Sequence, residues 1–230
     1  MRIVWESEHA VALDKPSGML TIPGRLGARD PRPCLVHAVA RQVPGKIWIV
    51  HRLDLEASGL VLFARSAAAH RVLCTAFEQR AVRKTYEAWT EGSLPDPLDR
   101  PLAWESQLLR GKRRVFETPR GKWSRTVAHC AGRVEWHGWQ LVAWRLCPET
   151  GRPHQLRAQS AARGWPIAGD RLYGSGVDFG PSRIALRAVA LDLQAIAPGQ
   201  RTGLDLPTLL DVPGLSSDPD PPCLPRPTRV

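Results

Sequence analysis

Two polar islands in an apolar background carry the residues that could do chemistry. The first is "HRLD", where His51 and Arg52 stand beside a single carboxylate, Asp54. The second is "GRPHQLR", which holds Arg152, His154 and Arg157. A carboxylate in a cleft can attack an electrophile or take a proton, and a neighbouring guanidinium can hold and aim it. The same residues also have a plain structural reading, in which Asp54 closes a turn and pairs with a nearby arginine. From residue types alone, both readings stand.

Other chemistries fit the chain poorly. No two histidines stand at H-x-x-x-H spacing, and the five cysteines are scattered with no C-x-x-C pair. Neither a metal site nor a disulfide framework is expected, and the cysteines read as reduced, small apolar residues. "GSGVDFG", residues 174–180, places its third glycine one residue late for a dinucleotide loop. Ser58 lacks the G-x-S-x-G frame of a hydrolase elbow.

The elements around the islands give them direction. "IWIV" (47–50) and "GLVLFA" (59–64) read as strands, so Asp54 falls on the connection between them. Two short strands and a turn precede them, with "KPSG" as the breaker, and "CLVHAVARQVPG" is a short helix closed by Pro44 and Gly45. Residues 66–81 make one apolar face at helical spacing behind a Ser66 cap. "KTYEAWTEG" alternates like a strand, "SLPDPLDRP" is a loop, and "RTVAHCAGRVEW" with "WQLVAWRLCPETG" reads as an antiparallel ribbon. In the second island Pro153 suits the first position of a helix and Gly164 its end, which puts His154 and Arg157 on one helical face. Arg152 then lies at the helix N-terminus, where free N–H groups attract anions. Residues 183–193 read as a further strand.

Net charge points to a polyanionic partner. The 230 residues carry 32 Lys+Arg against 22 Asp+Glu, a formal charge of +10. Residues 110–125, "RGKRRVFETPRGKWSR", hold seven of those cations and one glutamate, interleaved with Phe116 and Trp123. That pattern suits a short hairpin contacting nucleic acid, with Lys112, Arg113, Arg114 and Lys122 at the backbone. No stretch approaches the ~20 apolar residues of a membrane span and no signal peptide is evident, so a cytoplasmic protein is expected. The fold class is α+β: a mixed, mostly antiparallel sheet with flanking helices, in one domain over residues 1–210. Residues 211–230 read as a proline-rich disordered tail.

Several blocks together resemble one family. "HRLDLEASGLVLFAR" is similar to the H-R-L-D-x-x-T-S-G-L-L-L-x-A signature of the RluA family of RNA pseudouridine synthases. "TGRPHQLRAQSAARGWPIAGDRLYG", "LDKPSGMLTIPGR", "KTYEA" and "RIALRA" resemble its other blocks, in family order across residues 11–188. The resemblance implies a pseudouridine synthase catalytic fold with a central cleft that needs no cofactor and no metal; because the catalytic blocks begin close to the first residue, no N-terminal S4 domain is expected. It implies that a uridine in structured RNA, a tRNA or ribosomal RNA stem-loop, is isomerised to pseudouridine by a protein expected to be a monomer. By the match Asp54 is the catalytic aspartate, Tyr86 the ring that packs on the uracil, Arg157 the partner of Asp54, and Arg52 the side chain that fills the gap left by the flipped base. His51, Arg152 and His154 join the hairpin cations as RNA-binding residues, and the arginines of the 157–163 helix add to that surface. The carboxylate could attack the sugar carbon, attack the base, or abstract a sugar proton. Two positions depart from the family: Ala57 replaces the usual Thr, and Arg187 the usual His. The alternative is a non-catalytic RNA-binding or RNA-chaperone protein on the same scaffold.

Overall fold

The structure is a computed structural model, and it describes residues 1–24, 26–93 and 100–216. The loop read over 93–101 falls mostly on residues outside the described ones.

The chain opens with β1 (Arg2–Glu6) and β2 (Ala10–Lys15), then α1 (Leu35–Ala40), β3 (Trp48–Ile49), β4 (Ser58–Ala64) and α2 (Ala67–Glu78). It continues with β5 (Arg83–Thr90), β6 (Leu102–Arg110), β7 (Val115–Glu117), β8 (Lys122–Trp136) and β9 (Trp139–Pro148). Helix α3 (Gln155–Ala162), β10 (Leu186–Asp192), α4 (Pro198–Thr202) and β11 (Leu209–Asp211) complete it. The strands form one sheet in the order β1-β2-β4-β10-β5-β9-β8-β6-β7, with β3 beside β4 and β11 beside β10. Only β4 and β10 run parallel; every other pair is antiparallel.

All seven residues of β4 are buried because helices cover both its faces. Leu60 and Leu62 point to the α2 side and meet Ala69 and Leu73, while Val61 and Phe63 point to the α1 side and meet Leu35 and Val39. Ser66 caps α2 by accepting from the Ala69 N–H at 3.1 Å. At Gly59 a side chain is impossible: its φ is +106°, and a β-carbon would lie 2.1 Å from the Ala188 carbonyl oxygen. This close approach seats β4 against β10 and so fixes the loop before it, which carries Asp54. Strands β8 and β9 join through His137 and Gly138, both at positive φ, a two-residue turn that follows strand twist.

The structure corrects the expected tail boundary. Asp211 still belongs to β11, Val212 is buried, and the Pro213 carbonyl accepts from Arg187 Nε at 2.8 Å. The Leu215 N–H donates to Glu87 at 3.0 Å. Strand pairing with β10 and these polar contacts hold residues 211–216 on the domain; residues 217–230 lie outside the described ones. Arg187 also pairs with Asp14, Nη2 to Oδ2 at 2.8 Å.

Candidate active site

Asp54 sits on the connection between β3 and β4, and the backbone on either side of it is clamped. Thr21 Oγ1 donates to the Leu53 carbonyl at 2.9 Å and accepts from the Leu53 N–H at 3.1 Å. On the other side the Leu55 carbonyl accepts from the Gly18 N–H at 2.9 Å and from Lys15 Nζ at 3.3 Å. Lys15 also donates to the carbonyls of Met19 and Pro16 at 2.8 and 3.0 Å, so the "KPSG" turn and the Asp54 loop share one buried ammonium. Burial lowers Lys15 to about 8, against the pull of Asp54 and Glu56. Ala57 packs into the apolar core at this point. The turn is thus braced from the N-terminal block, with no hydroxyl at position 57.

Arg157 projects from α3 into the same region. It is 1% exposed, and three carboxylates surround it. Nε and Nη2 grip the two oxygens of Asp170 at 2.6 and 2.9 Å, a bidentate pair. Nη1 is shared by Glu56 Oε2 at 3.0 Å and Asp54 Oδ2 at 3.3 Å. Burial works against the charged guanidinium, but Asp170, Glu56 and Asp54 outweigh it and hold Arg157 firmly protonated. Among the described residues no hydrogen bond engages Asp54 Oδ1.

Tyr86 lies on β5, facing the same space. Burial, reinforced by the charge of Asp54, raises its phenol above the ordinary tyrosine range, so it is protonated at neutral pH. Asp54, Tyr86 and Arg157 line one cleft of about 430 Å³, together with Arg52, Arg152 and His154. That volume is in the range of pockets that enclose one small-molecule-sized group.

Two helix expectations are corrected here. Helix α3 begins at Gln155, after Pro153 and a left-handed His154 with φ 48°. Gln155 closes the turn, its side-chain carbonyl accepting from Thr150 Oγ1 at 2.7 Å and from the Arg152 N–H at 3.1 Å. His154 therefore points back to the Tyr173 hydroxyl, with Nδ1 3.1 Å from it. The α3 arginines also do not form an RNA surface. Arg157 is buried, and Arg163 is occupied by Glu117, the Glu105 carbonyl and the ring of Trp104.

His51 is a further correction. Its Nε2 accepts from the Leu62 N–H at 2.9 Å and its ring stacks on Phe77 at 4.6 Å, so it braces β4 and α2 and does not line the cleft. Burial pushes the imidazole down to about 3, with the charge of Lys84 acting the same way.

The hairpin cations sit apart from the cleft. Lys112, Arg113 and Arg114 form the exposed turn between β6 and β7, and Lys122 opens β8. Their hairpin is tied to the cleft nonetheless, because the Val115 N–H donates to the Tyr173 hydroxyl at 2.8 Å. Sequence reading missed Lys84 and Arg110, which line the cleft. It also missed Asp170, Glu56, Thr21 and the bracing role of Lys15. A signal existed for two of them. Lys84 stands two residues from Tyr86 on a strand, hence on its face, and Asp170 lies inside the quoted "GDRLYG" block.

The RNA pseudouridylate synthase family matches residues 9–162. A dual-specificity RNA pseudouridine synthase RluA from Vibrio vulnificus is 37% identical over 196 residues, covering 82% of this chain and 76% of that protein. The chain belongs to the RluA family of RNA pseudouridine synthases. It is an isomerase that converts uridine in RNA to pseudouridine. A tRNA pseudouridine synthase C from Yersinia pestis is 34% identical over 217 residues, 87% of this chain and 83% of that one. Among solved structures, the human RNA pseudouridylate synthase domain containing 1 protein superposes with a TM-score of 0.70 at 25% identity, covering 83% of this chain and 77% of that one. The mixed, mostly antiparallel sheet with few helices is the fold of this family.

Proposed function

We propose that Asp54 is the residue that reacts with the target uridine, that Arg157 positions it, and that Tyr86 packs on the uracil ring. One observation carries this reading: Asp54 and Tyr86 line the same cleft, and among the described residues the one hydrogen bond on the Asp54 carboxylate is from Arg157 to Oδ2. Oδ1 is left for the substrate. During the isomerisation the bond from N1 to the ribose breaks, the base turns, C5 bonds to the same ribose carbon, and the C5 proton leaves. Attack on the sugar, attack on the base and abstraction of a sugar proton all require an aspartate held by one oxygen and open at the other. Because Tyr86 is protonated, its part in the loss of the C5 proton is to relay it through the hydroxyl oxygen.

Arg52 is exposed and lines the cleft, which suits insertion into the stack vacated by the uridine. Arg152 and His154 border the same space and contact the flipped nucleotide or its neighbours. Lys112, Arg113, Arg114 and Lys122 hold the RNA backbone outside it. The substrate is a compact stem-loop of tRNA or ribosomal RNA. This follows the resemblance of "KPSGMLTIPGR" to the branch acting on anticodon stem-loops and a similar large-subunit rRNA loop, and the dual-specificity and tRNA names of the relatives. The protein acts as a monomer, since residues of one chain complete the cleft.

The test is a carbodiimide and primer-extension map of RNA from cells lacking the gene, complemented with wild type or with Asp54→Asn. The wild type restores a stop at the target uridine and Asp54→Asn does not, while purified Asp54→Asn still binds RNA. Normal turnover by Asp54→Asn would remove the aspartate from this role.

A further inference from the structure

Of the cations that line the cleft, Lys84 and Arg110 take no part in the proposed reaction, and Lys84 lies beside Tyr86. Lys84 and Tyr86 are two residues apart on β5, so they share a face of the strand, and both border the cleft. Across from Lys84 lies the loop that precedes α3: a β-carbon on Gly151 would come within 3.3 Å of Lys84 Nζ. The ammonium thus lies between β5 and the Gly151 turn, in the wall of the cleft that Tyr86 also lines.

What sets Lys84 apart is the company it lacks. Among the described residues no carboxylate pairs with it, and no hydrogen bond holds its Nζ. Burial lowers its ammonium, and the one neighbouring charge that acts on it noticeably is another cation, Arg80. The other buried cations of this region are treated differently. Lys15 donates to three carbonyls and feels Asp54 and Glu56, and Arg157 is held by three carboxylates. A half-buried charge with no partner in its own chain is unfavourable in the free protein, and such charges are kept where a ligand supplies the counter-ion. The ligand of this cleft is RNA, whose backbone carries an anion at every residue.

We propose that Lys84 binds a backbone phosphate of the RNA strand in the cleft, beside the uridine that packs on Tyr86. The proposal rests on reading Asp54 and Tyr86 as the uridine site. Arg80, exposed beyond Lys84, continues the positive path along which that strand leaves.

The experiment uses the full chain, a dodecamer of oligouridylate as probe, and a salt titration of the dissociation constant for wild type, Lys84→Met and Lys84→Arg. Lys84→Met should weaken binding about five- to tenfold near 0.1 M salt and reduce the slope of log affinity against log salt by about 0.7, the loss of one single-strand phosphate contact. Lys84→Arg should keep the wild-type slope. Methionine keeps the apolar stem while removing an unpaired charge, so the melting temperature of free Lys84→Met should equal or exceed that of wild type. A wild-type slope in Lys84→Met, including weaker binding at unchanged slope, would overturn the phosphate contact. A melting temperature several degrees lower would overturn it too, by exposing an anionic partner within the chain. Neither readout needs turnover. Normal turnover by Asp54→Asn together with the slope loss in Lys84→Met would sink the uridine reading of the cleft and spare the contact, and an inactive Asp54→Asn beside a wild-type slope in Lys84→Met would do the reverse.

Discussion

Arg157 gives two of its three guanidinium nitrogens to Asp170, at 2.6 and 2.9 Å, and reaches Asp54 at 3.3 Å through the third, which it shares with Glu56. Asp170, at 1% exposure, is the anchor of the site. The residue proposed to aim Asp54 is therefore itself held by an aspartate outside both polar islands. Among the described residues, Asp54 is then hydrogen-bonded at one oxygen only.

Asp170→Asn keeps the shape of the anchor and removes its charge. It leaves a buried guanidinium with only the two partly exposed carboxylates, and breaking a buried pair in this way costs about 3 kcal/mol or more. Urea denaturation should show that loss. Pseudouridine formation by the folded fraction should fall on the order of a hundredfold, because Arg157 is free to shift by an ångström. A variant as stable as wild type would show that Glu56 and Asp54 alone can anchor the arginine.

Lys15 gives the pH dependence of the brace. Its folded value of about 8 lies below the ordinary 10.5, so between those values the unfolded chain binds more protons than the folded one. The sign follows: burying Lys15 penalises the folded state below about pH 8, and the penalty is relieved as pH rises toward 10.5. The stability of wild type relative to Lys15→Met should therefore climb by about 3 kcal/mol across that window. Paired denaturant titrations check it, since other groups titrate alike in both proteins. A flat difference would mean the ammonium is better solvated than its three carbonyl contacts imply.

Replacing Lys112, Arg113 and Arg114 together by Gln should weaken binding to a tRNA or rRNA stem-loop and flatten its salt dependence by about two in the log–log slope. Folding should be untouched, because all three are exposed at the β6–β7 turn. An unchanged slope would take the hairpin out of the interface.

Much of this architecture was legible in the chain. Alternation and turn residues marked β2, β4, β5 and the β8–β9 ribbon, and Ser66 marked the start of α2, because each of these signals is local. The connection between β3 and β4 was placed correctly for Asp54, although β3 shrinks from four residues to two. What local pattern cannot reveal is which way a polar side chain turns. His51 stands three residues from Asp54, yet its ring meets the Leu62 N–H and the Phe77 ring and does not line the cleft that Asp54 borders. The arginines at 157 and 163 read as a basic face, but the helix packs against β6 and β7, and carboxylates more than a dozen residues away, buried Asp170 and exposed Glu117 among them, claim both. Asp170, thirteen residues after Arg157, is paired with it only by the turn after α3. The tail boundary failed for a similar reason: β11 is three residues long, and its partner β10 lies far upstream in sequence.

The Tyr173 hydroxyl accepts the Val115 N–H and meets His154 Nδ1. The hairpin proposed to grip the RNA and a histidine of the cleft wall are therefore joined through a single atom. If the hairpin grips RNA as proposed, a poorly docked RNA that displaces it should also disturb the cleft wall at His154.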